Sequence, residues 1–321
     1  MASALLMALG LVLLVGGAEV MVRGGSRLAA RLGVSPLVIG LTVVAIGTSA
    51  PELVVGIDAA YRGSSALAVG NIVGTNLVNI ALILGLSAAI RPVVVESRTV
   101  RFDLPWIGIA ATALFVMAID GHLVRWEGLV LVTAAVLYTV VVIRTSRLER
   151  HRVTADIATP GIDLRERPGG PWRDAAELVV GIAVIVVGGD LLVDGAIQAA
   201  RALGVSEALI GLTVIAIGTS APELVTVIVS TIRGDRSIAV GNLLGSSVYN
   251  ILIILGVTMV VSPDGMEVPE PVRQVDLVLM TALALACIPI FRRGHRLTRV
   301  EGTTFVVAYL LYLGYLIIAR T

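Results

Sequence analysis

The sequence predicts an all-α integral membrane protein with ten transmembrane helices, arranged as two inverted five-helix repeats in which helices two and seven are broken. Three observations lead to this fold class. The 321-residue chain is 57% hydrophobic, its mean hydropathy is +0.96, and a 46-residue segment occurs twice along it. Soluble domains do not reach such an average, and uncharged runs of about 20 residues are typical of helices that cross a lipid bilayer.

Ten apolar runs are long enough to form the predicted helices. The first run resembles the apolar part of a secretory signal. However, the pattern at 20–35 returns at 191–206, with the same spacing of 171 residues that separates the two copies of the repeated segment. We therefore expect the first run to be a retained helix with a counterpart in the second half. The runs lie near residues 3–22, 35–61, 66–90, 104–119, 127–143, 174–194, 206–232, 237–261, 275–291 and 303–319.

The runs divide the chain into a first five-helix repeat at 1–143, a linker at 144–173 and a second five-helix repeat at 174–321. Because five is odd, the second repeat must enter the membrane in the opposite sense to the first. The chain has no lysine, and 19 of its 24 arginines fall in the loops after helices one, three, five, seven and nine. The positive-inside rule assigns that side to the cytoplasm. This predicts a multi-pass protein of the cytoplasmic membrane with a cytoplasmic linker and two non-cytoplasmic termini.

The composition excludes several other classes of function. The net charge is only +1, so the chain has no electrostatic footprint for nucleic acid. Three histidines, His122, His151 and His295, are scattered among loops, and the single cysteine, Cys287, lies inside an apolar run. These residues make neither a metal constellation nor an intrachain disulfide. The sequence also shows no nucleophile–base pair and no phosphate loop, so we expect no enzyme activity and no cofactor.

The repeated segment, at 40–85 and again at 211–256, contains an acidic residue that is unusual in a membrane helix. Each copy carries the motif GTSAPE, which places Glu52 and Glu223 in the middle of an apolar run. A carboxylate near the centre of a membrane helix costs about 3 kcal/mol on insertion scales. Duplication would copy a structural acid as well, but two equivalent acids kept at that cost indicate a role in handling cations.

The same motif predicts a break in helices two and seven. Pro51 has no amide hydrogen, so it cannot bond the carbonyl of Gly47 four residues back, and its ring crowds that turn. The residue before a proline avoids helical dihedral angles, and glycine makes the break easier. Pro222 and Gly218 repeat the arrangement. We therefore expect each helix to kink or unwind near mid-membrane, with free carbonyls that a bound ion or water would satisfy.

Polar residues of helices three and eight predict the opposite wall of a binding site. Asparagine, threonine or serine recurs every four residues along each helix, so these side chains share one face. Together with the two carboxylates and the free carbonyls they make an all-oxygen cage, which suits hard cations such as Ca²⁺ rather than zinc or copper. The residues are Asn71, Thr75 and Asn79 in the first copy, and Asn242, Ser246 and Asn250 in the second.

Three further acids lie near helix ends. Glu19 and Asp190 are equivalent at the spacing of 171 residues, and we expect a structural or water-facing role for both. Asp58 has Val229 as its counterpart, so the symmetry does not support it as a ligand, and we expect it to lie at the membrane interface.

Two copies of GTSAPE, at 47–52 and 218–223, and two copies of the following GN…G…N pattern carry a family resemblance. At these motifs the chain resembles the calcium/cation antiporter superfamily, specifically its prokaryotic sodium/calcium exchanger branch. The resemblance implies that Glu52 and Glu223 bind Ca²⁺ and are also used by Na⁺. By the same resemblance, Thr48, Ser49, Thr219 and Ser220 contribute oxygens, the carbonyls of Ala45 and Ala216 bind Na⁺, and Thr75, Ser246, Asn79 and Asn250 complete the cluster.

The activity that the resemblance implies is secondary active exchange of Na⁺ for Ca²⁺ by alternating access, in the direction of calcium extrusion. A calcium/proton antiporter of the same superfamily is the nearest alternative, because glutamates can carry protons. A passive cation channel and a membrane enzyme or scaffold are the others. The chain departs from the family where Asn250 replaces an aspartate of some members, including potassium-dependent ones, where Thr75 replaces the usual serine, and where Ser247 is the counterpart of Asn76.

Overall fold

The computed structural model describes residues 2–156, 170–204, 216–233 and 235–320, and nearly all of them are helical. We number the helices in chain order and treat the two parts of a broken helix separately. The helices are α1 (Ala2–Leu32), α2 (Pro36–Thr48), α3 (Ala50–Tyr61), α4 (Ser65–Ile90), α5 (Thr99–Asp120), α6 (Arg125–Asp156), α7 (Pro171–Ala202), α8 (Ala216–Thr219), α9 (Ala221–Ile232), α10 (Ser237–Val261), α11 (Val272–Arg292) and α12 (Arg299–Arg320).

The helices have the length and composition of membrane spans. Within the described parts of the chain, eight are long and apolar enough to cross a bilayer, namely α1, α4, α5, α6, α7, α10, α11 and α12. α2 and α3 pass the same test together and are bent by 42° at the break between them, and α9 is a shorter apolar helix. The predicted all-α membrane class is confirmed. The first part of the predicted seventh span, 206–215, lies outside the described residues.

α1 and α7 are longer than the apolar runs that predicted them. The apolar runs predict that these spans end near residues 22 and 194, whereas both helices continue for two turns or more. The additional turns of α1 carry arginines that pair with the beginning of α7. Arg27 and Arg31 both contact the buried carboxylate of Asp174, at 3.0 and 2.5 Å. Because these ion pairs satisfy the cations, the helix continues beyond the end of the apolar sequence.

Glycine residues let α1 and α7 pack closely as an antiparallel pair. Glycine recurs every seven residues on both helices, which keeps the glycines on one face. A Cβ atom on Gly17 would lie 2.9 Å from the carbonyl oxygen of Gly181, and one on Gly24 would lie 2.8 Å from that of Asp174. Small residues of this kind permit the closest approach of membrane helices. The six positions are Gly10, Gly17 and Gly24 in α1, and Gly181, Gly188 and Gly195 in α7.

The last helix of each half packs closely against a central helix of the other half. A Cβ atom on Gly128 of α6 would lie 2.6 Å from the carbonyl oxygen of Gly256 in α10. A Cβ atom on Gly302 of α12 would lie 2.6 Å from that of Gly85 in α4. In α4 and α10, 72% and 78% of the most apolar stretch is consequently buried, compared with 22–44% in the other long spans. α4 and α10 therefore form the centre of the molecule.

The helices that make these contacts begin with a carboxylate cap. The backbone amide of Val124 donates to Glu127 at 2.9 Å, and that of Thr298 donates to Glu301 at 2.8 Å. A carboxylate at a helix N-terminus stabilises the helix because it satisfies free amides and opposes the helix dipole. The Glu-Gly pair that recurs in the two halves is therefore structural, with the acid capping α6 or α12 and the glycine making the close contact.

Two pairs of short strands join loops of the two halves. β1 (Val93–Val94) pairs with β4 (Arg296–Leu297), and β2 (His122–Leu123) pairs with β3 (Met266–Glu267). Both pairs are antiparallel. The strands precede α5, α12, α6 and α11, so each pair fixes the entry of one helix from each half.

Several helices contain a wider π-helical stretch that the sequence analysis does not predict. α4 and α10 contain Val78–Leu84 and Asn250–Leu255, and α5 and α11 begin with Thr99–Asp103 and Val272–Asp276. These stretches therefore occur at equivalent positions in the two halves. π-Helical turns are rare and often occur at functional sites. They also change which side chains share a face, so the four-residue spacing used above does not hold through them.

We expect Gly17→Ala to destabilise the protein by about 1–3 kcal/mol, because the added methyl group would overlap the backbone of α7. The neighbouring Gly16 supplies a matched control, since a Cβ atom there meets no described atom within 4 Å. Thermal unfolding in detergent, followed by circular dichroism, would compare Gly17→Ala with Gly16→Ala. Equal melting temperatures for the two variants would contradict the glycine contact between α1 and α7.

Candidate cation-binding site

The break between α2 and α3 lies at Ser49, directly before the first turn of α3. Ser49 has φ −85° and ψ 12°, and Pro51 follows within the first turn of α3, where its missing amide hydrogen is not needed. The amide of Ser49 donates to the carbonyl of Ala45 at 3.2 Å, and the amide of Leu53 donates to the carbonyl of Ser49 at 3.3 Å. The predicted break in the first copy is therefore a kink with continued hydrogen bonding rather than an unwound stretch.

The second copy has the same turn between α8 and α9. Ser220 has φ −85° and ψ 2°, and Pro222 lies in the first turn of α9. The amide of Leu224 donates to the carbonyl of Ser220 at 3.1 Å. The two copies of the motif therefore adopt the same backbone conformation at the serine and in the first turn of the helix that follows.

Glu52 and Glu223 lie in the first turns of α3 and α9, and both are fully buried. The positive end of a helix dipole favours negative charge at this position. Both carboxylate oxygens of Glu52 and one of Glu223 have no hydrogen-bond partner among the described residues. The two carboxylates also lie near enough to interact electrostatically. Such a pair is costly in a membrane interior unless a cation neutralises it.

The kink of the first half contacts the site residues of the second half. The hydroxyl of Ser49 donates to the carboxylate of Glu223 at 3.3 Å, and the hydroxyl of Thr48 donates to the side-chain oxygen of Asn242 at 3.1 Å. All four side chains are buried. The structure therefore brings the two repeated motifs together at one place, as the sequence analysis predicts.

The polar residues of α4 and α10 are buried beside these contacts. Thr75, Asn79, Ser246 and Asn250 are each no more than 2% exposed. The amide groups of the two asparagines and the hydroxyl of Ser246 have no hydrogen-bond partner in the described parts of the chain. The π-helical stretch of α10 packs against α3, and that of α4 packs against α10. Buried polar atoms normally have partners, so the oxygen atoms among these groups have free capacity to accept.

Three of the predicted ligand positions, Ala45, Ala216 and Thr219, differ from the buried and unpartnered groups of α4 and α10. The carbonyl of Ala45 accepts hydrogen bonds from the amide of Ser49 at 3.2 Å and the hydroxyl of Thr48 at 3.4 Å, so it is engaged rather than free. Ala216 is the first residue of α8. Thr219, at the end of α8, is half-buried and lines a cavity. Ser220 is buried like its counterpart Ser49.

Two further hydroxyls on α9 extend the polar surface and were not singled out from the sequence. Thr226 and Ser230 are fully buried, and neither hydroxyl has a partner among the described residues. They follow Glu223 by three and seven residues, so they lie on the same face of the helix. That spacing was available in the sequence. Their counterparts in the first half, Val55 and Ala59, are apolar, which makes this extension specific to the second half.

A cavity of about 410 Å³ lies between α3, α7, α8 and α9. Pro51, Pro222 and Thr219 are among its lining residues, so it reaches both proline turns. Asp190 and Asp194 of α7 also line it, and both are exposed. The expectation of a water-facing role agrees with the exposure of Asp190. The cavity thus places two exposed carboxylates beside the proline turns that precede Glu52 and Glu223.

The charged groups of the candidate site are the carboxylates of Glu52 and Glu223. Within the residues that the structure describes, no group of three or more His, Cys, Asp and Glu side chains could hold a metal ion. The site combines two carboxylates with hydroxyl and amide groups. Affinity for Ca²⁺ falls as the number of charged ligands falls, so two carboxylates are compatible with both binding and release.

The all-α membrane fold with two repeated, buried polar motifs is that of a membrane transporter. The sequence profile described as sodium/calcium exchanger protein matches residues 2–144 and 175–318. The chain is 36% identical over 320 residues to the inner membrane protein YrbG of Escherichia coli (strain K12), with 98% of this chain and 97% of the relative covered. It is 32% identical over 350 residues to the sodium/calcium exchanger MaX1 of Methanosarcina acetivorans, with 97% and 98% covered.

The fold also matches solved structures of a sodium-calcium exchanger. The structure of the sodium-calcium exchanger NCX_Mj soaked with Na⁺ and Sr²⁺ matches with a TM-score of 0.82 at 28% sequence identity, and 98% of each chain is covered. The chain belongs to the sodium/calcium exchanger family, in the prokaryotic branch of the calcium/cation antiporter superfamily. The resemblance predicted from the repeated motifs is confirmed.

We expect added Ca²⁺ to raise the melting temperature of the protein in detergent, because a ligand that binds only the folded state stabilises it by about 4 kcal/mol at a thousandfold excess over Kd. Glu52→Gln and Glu223→Gln should each abolish this shift, since each removes one carboxylate. Glu96→Gln, at an exposed position, is the control and should keep the shift. A calcium-dependent shift that persists in both glutamate variants would place the binding site elsewhere.

Proposed function

We propose that this chain is a secondary active antiporter that exchanges Na⁺ for Ca²⁺ across the cytoplasmic membrane by alternating access, with calcium extruded from the cell. The observation that carries the proposal is the pair of fully buried glutamates, Glu52 and Glu223, with unpartnered oxygens at the first turns of α3 and α9. Two carboxylates match the charge of one Ca²⁺ and partly offset that of several Na⁺. The relatives named as sodium/calcium exchangers support the choice of ions.

In this proposal each ion is held by oxygens from both halves of the chain. Glu52 and Glu223 are the shared ligands of Ca²⁺ and Na⁺. The unpartnered amide oxygens of Asn79 and Asn250 and the buried hydroxyls beside the two kinks support the assignment of the remaining ligands. The remaining proposed ligands are Thr48, Ser49, Thr219, Ser220, Thr75, Ser246, Asn79 and Asn250, with the carbonyls of Ala45 and Ala216 for Na⁺.

Coupling follows from the competition of the two ions for one pair of carboxylates. When Na⁺ enters down its gradient, it occupies the glutamates and displaces Ca²⁺, and Ca²⁺ displaces Na⁺ on the other side. A cage that is empty carries two buried negative charges, and enclosing these away from water would cost several kcal/mol per ion. The transporter therefore changes its open side readily when a cation is bound and poorly when the site is empty.

We also propose the finer architecture, with ten transmembrane helices in two inverted repeats, at 1–143 and 174–321, joined by a cytoplasmic linker at 144–173. The match of one family profile to two separate stretches, one in each half, supports this division. The equivalent glycine contacts, helix caps and π-helical stretches of the two halves support it as well. The name of the Escherichia coli relative supports the cytoplasmic membrane as its location.

Proton coupling is the second candidate function, because the same glutamates could carry protons in place of Na⁺. The GTSAPE form of the motif and the names of the relatives favour Na⁺.

Asn250, at a position where some members have an aspartate, leaves the site with one titratable acid fewer, which makes potassium co-transport less expected.

Radioactive calcium uptake into proteoliposomes loaded with Na⁺ tests the exchange directly. We expect rapid uptake into a sodium-free medium, and loss of at least about a hundredfold in rate for Glu52→Gln and Glu223→Gln, which corresponds to about 2.7 kcal/mol. Glu96→Gln is again the control. Choline, potassium and a pH gradient replace the sodium gradient in parallel samples.

The alternatives predict different outcomes in the same assay. Uptake driven by a proton gradient and indifferent to Na⁺ would establish calcium/proton antiport instead. Calcium flux that needs no counter-ion would establish a channel. Uptake that survives both glutamate substitutions would contradict the proposed site.

Cysteine labelling tests the proposed orientation. In a Cys287→Ala background, Asp120→Cys should react with a membrane-impermeant maleimide added to intact cells, because the loop after the fourth span is assigned to the outside. Arg150→Cys, within the proposed cytoplasmic linker at 144–173, should react only after the membrane is permeabilised. The reverse pattern would invert the topology and with it the assigned direction of transport.

A further inference from the structure

The two ends of the molecule pack differently, although their residues correspond at the spacing of 171. α1 packs along α9, whereas its counterpart α7 contacts α3, the counterpart of α9, far less. The cavity beside Asp190 occupies the place of the missing contact. Val54 in α3 is 68% exposed, while its counterpart in α9, Val225, is only 9% exposed. We call the end with α1 and α9 the closed end and the end with α3 and α7 the open end.

A network of polar contacts holds the closed end together. The guanidinium of Arg233, directly after α9, donates from Nε to the carboxylate of Glu19 at 2.6 Å. Arg23 pairs with the same carboxylate from one turn further along α1. The hydroxyl of Ser26 donates to Asp235 at 3.1 Å. These contacts join α1 to the turn between α9 and α10.

The open end contains the equivalent ion-pair residues, but they do not meet. At the spacing of 171 residues, Asp190 corresponds to Glu19 and Arg62 corresponds to Arg233. Asp190 lines the cavity, and Arg62 instead donates to Asp58, one turn earlier in α3, at 2.9 Å. Arg62 is therefore held by a nearby acid on its own helix.

The closed end has no acid in the position of Asp58, because the counterpart there is Val229. The arginine of the closed end thus has its strongest partner on α1, while the arginine of the open end has an alternative partner on its own helix. Asp194 lies beside Asp190 where Arg23 stands in the first half. The open end consequently presents two acids to Arg62 and to entering cations.

We propose that Glu19–Arg233 and Asp190–Arg62 are alternating gate pairs, of which one is formed and the other separated in each open state. This inference rests on the proposed alternating-access function. In the opposite state, Glu19 releases Arg233, and Arg62 moves from Asp58 to Asp190 and covers the present cavity. α1 and α7 move as one unit, because the glycine contact and the ion pairs of Asp174 join them.

The exposure of the ion pairs suits this role. Glu19 and Arg233 each have 32% of the side chain exposed, and Asp58 and Arg62 have 56% and 74%. Ion pairs that remain in contact with water contribute little to stability. They can therefore break and reform in every transport cycle, whereas a fully buried pair would lock the transporter in one state.

Cross-linking tests the gate pairs without relying on transport. Two double variants are made in a Cys287→Ala background. One combines Arg62→Cys and Asp190→Cys, and the other combines Glu19→Cys and Arg233→Cys. Each is treated with a short bis-methanethiosulfonate. The second pair is in contact in the structure and calibrates the reach of the reagent, and the four single variants are the controls. We expect both pairs to cross-link, each cross-link to abolish sodium/calcium exchange in proteoliposomes, and reductant to restore exchange.

Charge reversal provides a second measurement that does not depend on cysteine. Arg62→Asp and Asp190→Arg should each slow exchange, and the double variant should recover most of the rate, although these residues are not in contact in the structure. Failure of Arg62→Cys and Asp190→Cys to cross-link, while wild-type exchange is intact, would overturn the gate pair alone. Exchange that continues in a fully cross-linked pair would also overturn it. Absence of exchange in the wild type would overturn the proposed function instead.

Discussion

The burial of two carboxylates in a membrane interior is the constraint on which the rest of the structure depends. An ionised carboxylate away from water is stable only when dipoles, hydrogen bonds or cations replace its hydration. The kinks at Ser49 and Ser220 place Glu52 and Glu223 at the first turns of new helices, where the helix dipole favours negative charge. The proline of each motif determines where the new helix begins.

The site is also shared between the two halves, so neither half can form it alone. Ser49 of the first half donates to Glu223 of the second, and the central helices α4 and α10 are each enclosed by a helix from the other half. The close approach at Gly128 and Gly302 leaves no room for a side chain. A bound ion held by both halves would therefore respond to their relative movement, which is what a transporter needs in order to expose one site to two sides.

The difference between the closed and open ends shows how one duplicated sequence can form two surfaces. The paired helices α1 and α7 contact α9 closely and α3 only slightly. They are tightly joined to each other through glycine and through the ion pairs of Asp174. Their contacts with the helices of the site are looser and, at the closed end, include the water-exposed pair of Glu19 and Arg233. The weak contact is thus located where the proposed transport cycle requires movement.

The sequence by itself determined the membrane class, the duplication, the kink at the proline and the identity of the buried glutamates. Each of these follows from local chemistry: apolar length, residue spacing, a missing amide hydrogen and the cost of a charge in lipid. The family could be recognised for the same reason, since its motif consists of these residues. The finer orientation and the ion ligands rest on the same local patterns and stay proposals.

Only the tertiary structure decided the ends of α1 and α7, the π-helical stretches and the contacts between the halves. The ends depend on partners far away in sequence, such as Asp174 for Arg31, and the hydroxyl of Thr48 meets Asn242 only after the two repeats have folded together. The asymmetry of the two ends is beyond any sequence pattern. Val54 and Val225 are the same residue in equivalent places, and they differ in exposure because α9 packs against α1 whereas α3 makes few contacts with α7.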